Sequence, residues 1–345
     1  MSELYSLPYL PYVLTGNLTR DFIISRGGKA LNNIIGGGLF YTAAGIYLWE
    51  HQIGLISRIG SNYPAEWIQK LHNFGIDTRG IKNIGYPLEQ RQFISGISET
   101  FDEQHIPLAN YAKAGLPYPK ELLGYSLPLE TLGSKTKRSE ETIIFRDIPR
   151  DYFEANFIHF CPMDFLTHNL IPQSFRQHGN KTITLSPGST YMAPNFWREM
   201  PALVNSLSAF ITSEDLVRNL FVDQRMDQLP EMMKIISGWG AQNVAILCRD
   251  RTTLLLVSEH QDLYTIPPYS ETVVNLTGSL DAFCGGFLYG LSKAYDPVKA
   301  LAYGSTAASI VEGISSPWFA LDVMEGLAEA RRSAQETKIQ KISSK

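Results

Sequence analysis

The chain has 345 residues, of which 44% are hydrophobic and 19% charged, enough for one large α/β domain or two smaller ones. Its formal net charge of -4 gives no electrostatic reason to expect nucleic-acid binding, which requires clustered Lys and Arg. No apolar run approaches the roughly 20 residues that cross a bilayer, and the N-terminus lacks the basic segment of a signal peptide. We therefore expect a globular protein that handles small molecules, without nucleic-acid or membrane partners.

The cysteines are too widely spaced for a zinc site or a disulfide framework. Cys161, Cys248 and Cys284 show no paired spacing. This usage is typical of a reducing compartment, so we expect a cytoplasmic protein.

The first elements of the chain alternate between strand and helix. Apolar runs that end near glycine predict strands at Tyr12–Thr15 and Ile53–Ile59. Apolar residues at helical spacing predict helices over residues 40–49 and 64–74, the second ending at Gly75. This order favours a parallel sheet with helices on its faces.

The middle of the chain has a looser pattern. Proline-bearing stretches interrupt residues 85–150, which we interpret as an inserted lid and loop region, with residues 133–141 as a mobile surface connection. Apolar strands then resume, and residues 331–345 form a polar tail that we expect to fray. The expectation is a single domain over residues 1–345. The later strands are predicted at Phe157–Phe160, Thr182–Leu185, 209–212 and 244–247.

Residues 273–288 combine a strand end, a turn and a buried helix that carry chemistry. If the helix begins near Gly278 and Ser279, its first backbone N–H groups and its dipole form an anion site. Asp281 then lies in the first turn, where a carboxylate could accept the proton of a substrate hydroxyl that attacks a phosphoryl group. On this segment alone, a second interpretation is that Asp281 only stabilises the helix N-terminus.

This segment resembles the C-terminal signature of the PfkB, or ribokinase-like, carbohydrate kinase family. The family form is Asp-Thr-Thr-Gly-Ala-Gly-Asp followed by Ala-Phe. A second resemblance lies upstream, where Gly37 and Gly38 begin a stretch similar to the family's Gly-Gly-x-x-x-Asn-x-Ala substrate loop. Asp21 resembles the aspartate that holds substrate hydroxyls. The residues that match the C-terminal signature are Thr277, Gly278, Asp281, Ala282 and Phe283.

The resemblance implies a ribokinase-like three-layer α/β sandwich with a mostly parallel central sheet and a small β lid. It implies ATP and Mg²⁺ as cofactors, with no direct metal ligand assigned, and Asp281 as the catalytic base. It also implies two sets of binding residues. The anion hole and ATP site would comprise Thr277, Gly278, Ser279 and Leu280, and the substrate site Asp21, Gly37, Gly38 and Thr42.

Several positions depart from the family pattern. Asn275 replaces the first aspartate of the signature. Leu280 replaces a glycine that would let a phosphate approach the backbone closely, and the leucine side chain could crowd that phosphate. Thr42 stands where the family has asparagine, which exchanges an amide for one hydroxyl. On the nucleotide side, residues 213–216 stand in place of the family's Asn-x-x-Glu element. Residues 248–253 stand in place of its glycine loop. Within this second segment, Arg249 and Arg251 either contact nucleotide phosphates or are merely solvated. The expected helix over residues 296–311 keeps a small face of Ala302, Ser305, Ala308 and Ser309.

Two functions remain open at this point. The first is an ATP-dependent phosphotransferase that moves the γ-phosphate to a hydroxyl of a sugar, nucleoside-like or related small molecule. The second is a catalytically impaired member of the fold that acts as a ligand-binding or scaffolding module, since fold analogy alone does not establish function. A homodimer is the assembly that we consider.

Overall fold

A computed structural model of the chain describes residues 9–97, 106–126, 133–179, 181–270 and 273–342. Its strands are β1 (Tyr12–Thr15), β2 (Thr19–Ile24), β3 (Ala30–Gly36), β4 (Ile53–Ile59), β5 (Asp77–Asn83), β6 (Arg91–Ser95), β7 (Phe157–Phe160), β8 (Thr182–Leu185), β9 (Ala209–Ser213), β10 (Asn243–Leu247), β11 (Thr253–Val257), β12 (Asp262–Ile266) and β13 (Gln340–Ile342). Its α-helices are α1 (Gly38–Tyr47), α2 (Ala65–Asn73), α3 (Pro107–Lys113), α4 (Phe165–Arg176), α5 (Met200–Val204), α6 (Glu214–Leu220), α7 (Leu229–Gly238), α8 (Ser279–Ala294), α9 (Pro297–Glu312) and α10 (Leu327–Glu336).

The central sheet has ten strands in the order β13-β12-β11-β10-β9-β8-β7-β1-β4-β5. From β10 to β5 every neighbouring pair is parallel, whereas β11, β12 and β13 add antiparallel strands at one edge. The expected mostly parallel sheet is therefore confirmed. Parallel strands need helical crossovers, which accounts for the alternation of strands and helices along the chain.

Both faces of this sheet are apolar, and helices cover both. In β1, Val13 packs into the core on one side, while Tyr12 and Leu14 pack into the core on the other. Helices α4 to α7 supply the first core, and α1, α8 and α9 supply most of the second. Each fully buried large side chain contributes about 1.5–3 kcal/mol. The result is the three-layer sandwich expected from the sequence.

A second, three-stranded sheet has the order β3-β2-β6 and forms the lid. Two of its strands come from residues 19–36, and the third, β6, comes from residues 85–150, so the inserted region supplies part of the lid as expected. The strand β3 contains Asn32 and Asn33, which have weak strand propensity and concealed it. Residues 98–105 and 127–132 of the expected lid and loop region lie outside the described residues.

The apolar face of the lid is covered by residues of the same chain. Phe22, Ile24 and Phe93 pack against Tyr111 of α3 and against Leu122. A three-stranded sheet needs such a covering for stability, since one sheet face alone leaves its apolar side chains in water. The lid is therefore a small hydrophobic unit of its own.

The polar tail is ordered through Ile342, which corrects the expectation that it frays. Helix α10 extends to Glu336, and β13 then pairs with β12 at the sheet edge. Gln335 is fully buried and donates to the backbone oxygen of Pro267 at 3.1 Å and to Ser305. These contacts hold the tail against the rest of the domain, although its composition is polar. Residues 343–345 lie outside the described part of the chain.

Helices α1 and α8 pack with unusually close backbones. A Cβ atom on Gly45 of α1 would lie 2.2 Å from the carbonyl oxygen of Ala282, and one on Gly285 of α8 would lie 2.1 Å from that of Thr42. Side chains cannot be accommodated at such distances without displacing backbone. The glycines therefore determine how near the two N-termini of these helices lie.

We predict that Gly45→Ala destabilises the protein by about 1–3 kcal/mol, because the added methyl overpacks the contact with Ala282. Gly238 is the matched control, since it lies in a helix and a Cβ there would meet nothing within 4 Å. Gly238→Ala should stabilise by about 0.5–1 kcal/mol through helix propensity. Urea unfolding of both variants measures the difference, and a Gly45→Ala protein as stable as wild type would contradict the packing argument.

Candidate active site

The site begins where the chain leaves β1 and later enters α1. Gly37 precedes α1 with a φ of 93°, and a Cβ there would lie 2.2 Å from the carbonyl oxygen of Asn17. The N–H of Leu39 donates to the same oxygen at 3.3 Å. Only glycine fits this conformation and spacing, so Gly37 and Gly38 fasten the N-terminus of α1 to the end of β1.

Asp281 lies opposite this loop, in the first turn of α8. A Cβ on Gly38 would lie 2.9 Å from its Oδ1 atom. That oxygen is buried and has no hydrogen-bond partner among the described residues. The residue keeps some solvent exposure, but the surrounding protein desolvates the carboxyl and raises the pKa of Asp281 to about 7. An unpaired carboxylate oxygen aimed at a glycine loop is suited to accept a proton from a ligand.

Asp21 on β2 lies in the same cleft. It is fully buried against the Cα of Gly36, where a Cβ would be 1.9 Å from Oδ2, and it accepts a hydrogen bond from the Thr19 hydroxyl. Burial, with a smaller contribution from the charge of Asp281, raises the pKa of Asp21 to about 7. The two carboxyls that the sequence predicted are thus brought within electrostatic reach of each other.

Thr42 is buried one turn into α1. Its side chain is fully buried, and its hydroxyl accepts a hydrogen bond from the Cys161 thiol at 3.4 Å. The substrate-binding role expected for Thr42 stays a prediction.

The turn before α8 is organised by Asn275. Its Oδ1 accepts from the N–H of Thr277 at 3.1 Å and from its hydroxyl at 3.0 Å. An amide oxygen therefore does what a carboxylate oxygen would do at this position, and the substitution preserves the turn. Gly278 follows with a φ of 79°, and a Cβ there would lie 2.2 Å from the ring of Tyr41.

The first turn of α8 offers fewer free amides than the sequence suggested. The Ser279 N–H donates to the Leu276 carbonyl at 3.1 Å, and its hydroxyl donates to Glu312 at 2.8 Å. The amides of Leu280 and Asp281 have no helical acceptor. The Leu280 side chain is partly buried and packs against the apolar cluster that includes Ile211 and Phe283.

A cavity of about 580 Å³ adjoins this helix N-terminus. Ser279 and Leu280 form one side of it, and Ser305, Ala308 and Ser309 of α9 form another, so three of the four residues of the predicted small face line it. Helix α9 itself begins as expected, with Asp296 as its N-cap. The volume of the cavity matches that of small-molecule sites. The rest of the lining is Arg26, Ser213, Glu214, Asp215, Leu247, Cys248, Arg249, Arg251, Thr253, Pro268, Tyr269, Leu276 and Glu312.

Ion pairs take the place of the expected glycine loop. Arg249 pairs with Asp215 at 2.6 Å, and its N–H donates to Glu214. Arg251, at a φ of 67° in the hairpin turn, pairs with Glu312 at 3.2 Å. Both arginines therefore line the cavity while paired, Arg249 in a largely exposed ion pair, and contact of either with a phosphate stays a prediction. Among the described residues, no group of three or more His, Cys, Asp or Glu could hold a metal ion.

Glu312 and Glu141 escaped the sequence reasoning. Glu312 follows Ser305 and Ser309 at helical spacing, so extending the small face by one turn would have found it. Glu141 gave no such signal, because it lies in the segment expected to be a mobile connection. That expectation is wrong for its C-terminal end, since Glu141 accepts from Asn17 at 2.9 Å and Arg58 donates to the Glu140 carbonyl at 3.2 Å.

Comparison with known proteins shows similarity to one family over part of the chain. Residues 185–316 match the model of the pfkB family carbohydrate kinases. A cytidine kinase from Thermococcus kodakarensis is 24% identical over 286 residues, which cover 82% of this chain and 89% of that protein.

Solved structures share the fold. An E. coli protein named as a ribokinase II, in complex with ATP and Mg²⁺, superimposes with a TM-score of 0.65 at 13% identity, covering 94% of this chain and 99% of that one. Aminoimidazole riboside kinase from Salmonella enterica, with its riboside and an ATP analogue, gives 0.64 at 14% identity over 93% and 99%. The lid and the sheet order are those of the ribokinase-type fold of these solved structures, and residues 185–316 are similar to the pfkB family carbohydrate kinases.

Proposed function

We propose that the protein is an ATP-dependent kinase that transfers the γ-phosphoryl group to a hydroxyl of a sugar or nucleoside. The observation that carries the proposal is the position of Asp281. Its unpartnered Oδ1 faces the Gly38 loop on one side, and the helix turn that bears it adjoins the 580 Å³ cavity on the other. A base between two binding spaces is what phosphoryl transfer to a bound alcohol requires.

The reaction follows from the positions of the two carboxyls. Asp21 accepts hydrogen bonds from substrate hydroxyls and holds the attacking one near Asp281. That oxygen forms a bond to the γ-phosphorus while the bond from phosphorus to the β-γ bridging oxygen breaks, and its proton passes to Asp281. The Leu280 and Asp281 amides stabilise the charge on the transferring group, and Thr277 and Gly278 shape the turn that presents them. Ser279 supports the site through Glu312 rather than through its own N–H.

The cavity fits a nucleotide with its metal. Its small α9 wall leaves room for a flat base, and arginines lie near the first turn of α8. No three-carboxylate cluster faces it among the described residues, so Mg²⁺ would be held mainly by phosphate oxygens, with Glu214 and Asp215 near enough to assist through water. Mg²⁺ bound there would neutralise phosphate charge.

The substrate class is a sugar or a nucleoside. Among relatives, one is named as a cytidine kinase and another as an aminoimidazole riboside kinase, so cytidine and other ribosides are the first phosphate acceptors to assay. The buried Asp21 supports a polyhydroxylated ligand, because a buried carboxyl with a single internal donor has capacity for further hydrogen bonds.

The rival function, a ligand-binding module without turnover, loses most of its support. Asn275 keeps the turn, and Leu280, although it lines the cavity, also packs against the apolar cluster of Ile211 and Phe283. The related proteins are named as kinases. We therefore favour the enzyme.

We also propose a single cytoplasmic domain without nucleic-acid partners. The net charge of -4 and the three free cysteines support this. Within the described ranges, no helix is both long and apolar enough to cross a bilayer. A homodimer stays a prediction, and it would have to use a surface other than the inner lid face that Tyr111 and Leu122 cover.

We predict that Asp281→Asn lowers kcat by about 100- to 10,000-fold, because proton acceptance is lost while the shape is kept. In the wild type, activity should fall as the pH drops below about 7, since the pKa of Asp281 lies near that value and only the carboxylate accepts a proton. Steady-state assays with cytidine and ATP across pH 5–9 measure both effects. Activity retained within about tenfold would remove Asp281 from the role.

Stability supplies the control for this variant. The folded pKa of Asp281 is raised from 3.8 to about 7, so the folded state holds its proton longer than the unfolded chain does. Wild-type stability should therefore fall as the pH rises between these values, and Asp281→Asn should be the more stable protein at pH 8 by about 1–3 kcal/mol, with the difference vanishing near pH 4. Urea unfolding at both pH values shows that lost activity does not reflect misfolding.

We predict that Asp21→Ala weakens acceptor binding by about 1–3 kcal/mol, because buried hydrogen bonds to the substrate hydroxyls are lost. Affinity for Mg-ADP should be unchanged, since the cavity lies on the other side of α8. Calorimetry with the best acceptor and with Mg-ADP separates the two binding events. Equal acceptor affinity in the variant and the wild type would refute the placement.

The nucleotide site is tested at Leu280. We predict that the wild type binds Mg-ATP and that Leu280→Gly leaves the affinity unchanged or lower, because the helix start gains flexibility that binding must remove. If the site were degenerate, Leu280→Gly combined with Asn275→Asp would instead raise affinity, by about tenfold or 1.4 kcal/mol. Calorimetric titration of the three proteins with Mg-ATP decides between the enzyme and the binding module.

A further inference from the structure

Arg26 lines the cavity although it belongs to the lid. It lies in the tight turn between β2 and β3, where the N–H of Ser25 donates to the Lys29 carbonyl at 2.9 Å and Gly28 takes a φ of 73°. The turn therefore projects from the lid toward Ser279 and Leu280, which line the same cavity. Its side chain is exposed.

The charges around the cavity make Arg26 different from the other lining arginines. Arg249 is paired with Asp215, and Arg251 with Glu312. Throughout the ranges that the structure describes, no ion pair or side-chain hydrogen bond involves Arg26. A polyphosphate with one Mg²⁺ keeps negative charge, so the cavity needs a cation that is not already engaged. Guanidinium has the planar donor fork that matches phosphate oxygens.

The turn that carries Arg26 directly follows the strand that carries Asp21. Asp21 lies in β2, which ends at Ile24, and Arg26 comes five residues after Asp21, so at about 3.3 Å per residue the two lie up to about 17 Å apart. Asp21 is buried at the substrate end, and Arg26 is at the cavity. A substrate that orders β2 through Asp21 therefore also positions Arg26.

We propose that Arg26 is a phosphate-binding residue of the kinase site, which donates from the lid to the phosphate oxygens of the bound nucleotide. The proposal rests on the proposed function, because it requires a nucleotide in the cavity. Arg26 then joins the lid to α8 across the ligand. The closed lid thus depends on both ligands.

The test compares Arg26→Ala, Arg26→Lys and the control Lys29→Ala. Lys29 is an exposed cation of the same turn that does not line the cavity. Calorimetry with Mg-ADP and Mg-ATP, and steady-state kinetics with cytidine, are measured on the full chain. Arg26→Ala should weaken nucleotide affinity or lower kcat by about 10- to 100-fold, as the loss of a charged hydrogen bond does, while acceptor affinity without nucleotide is unchanged. Arg26→Lys should recover part of the loss, and Lys29→Ala should stay within about twofold of wild type.

The outcomes separate this proposal from the function on which it rests. A loss for Mg-ATP alone supports contact with the γ-phosphate, and a loss for both nucleotides supports contact nearer the β-phosphate. A wild type that neither binds Mg-ATP nor phosphorylates any riboside or sugar refutes the proposed function. An active wild type in which Arg26→Ala behaves like Lys29→Ala overturns the role of Arg26 alone.

Discussion

The close approach of α1 and α8 is the constraint on which the site depends. Gly45 and Gly285 let the two backbones lie nearer than any side chain would permit, and the N-termini of both helices then lie side by side. Asp281 on one helix consequently faces Gly38 on the other. A carboxyl with an unpartnered oxygen costs stability in a protein interior, and it persists here because the packing around it is contributed by two rigid helices.

The lid contributes residues to both binding spaces. Its strand β2 holds the buried Asp21 at one end and leads to the cavity at the other, while the covering of Phe22 and Phe93 by Tyr111 makes the lid stable without a partner. Residues of one small hydrophobic unit and its turn therefore lie at both binding spaces, Asp21 at one and Arg26 at the other.

The nucleotide side shows how a family site tolerates substitution. Where the family has backbone amides of glycines, this chain has a hairpin turn whose arginines are paired, and Arg251 contacts Glu312, which in turn accepts from Ser279. This chain of contacts joins the turn, α9 and the start of α8. A buried network of this kind is costly if one member is removed, so the three residues are expected to have changed together.

By itself the sequence determined six of the ten strands of the main sheet and the helix capped by Asp296, because periodicity and capping are local properties, and its resemblance to a known family pointed to Asp21 and Asp281. It concealed the lid strands β2 and β3, since β3 has few strand-forming residues, and it made an ordered tail look frayed. Only the tertiary structure placed Arg26 at the cavity, joined Glu141 to Asn17 and showed that Thr42 is buried. These relations depend on which strands are neighbours and on which loops meet at one edge of the sheet, and no short segment of sequence carries that information.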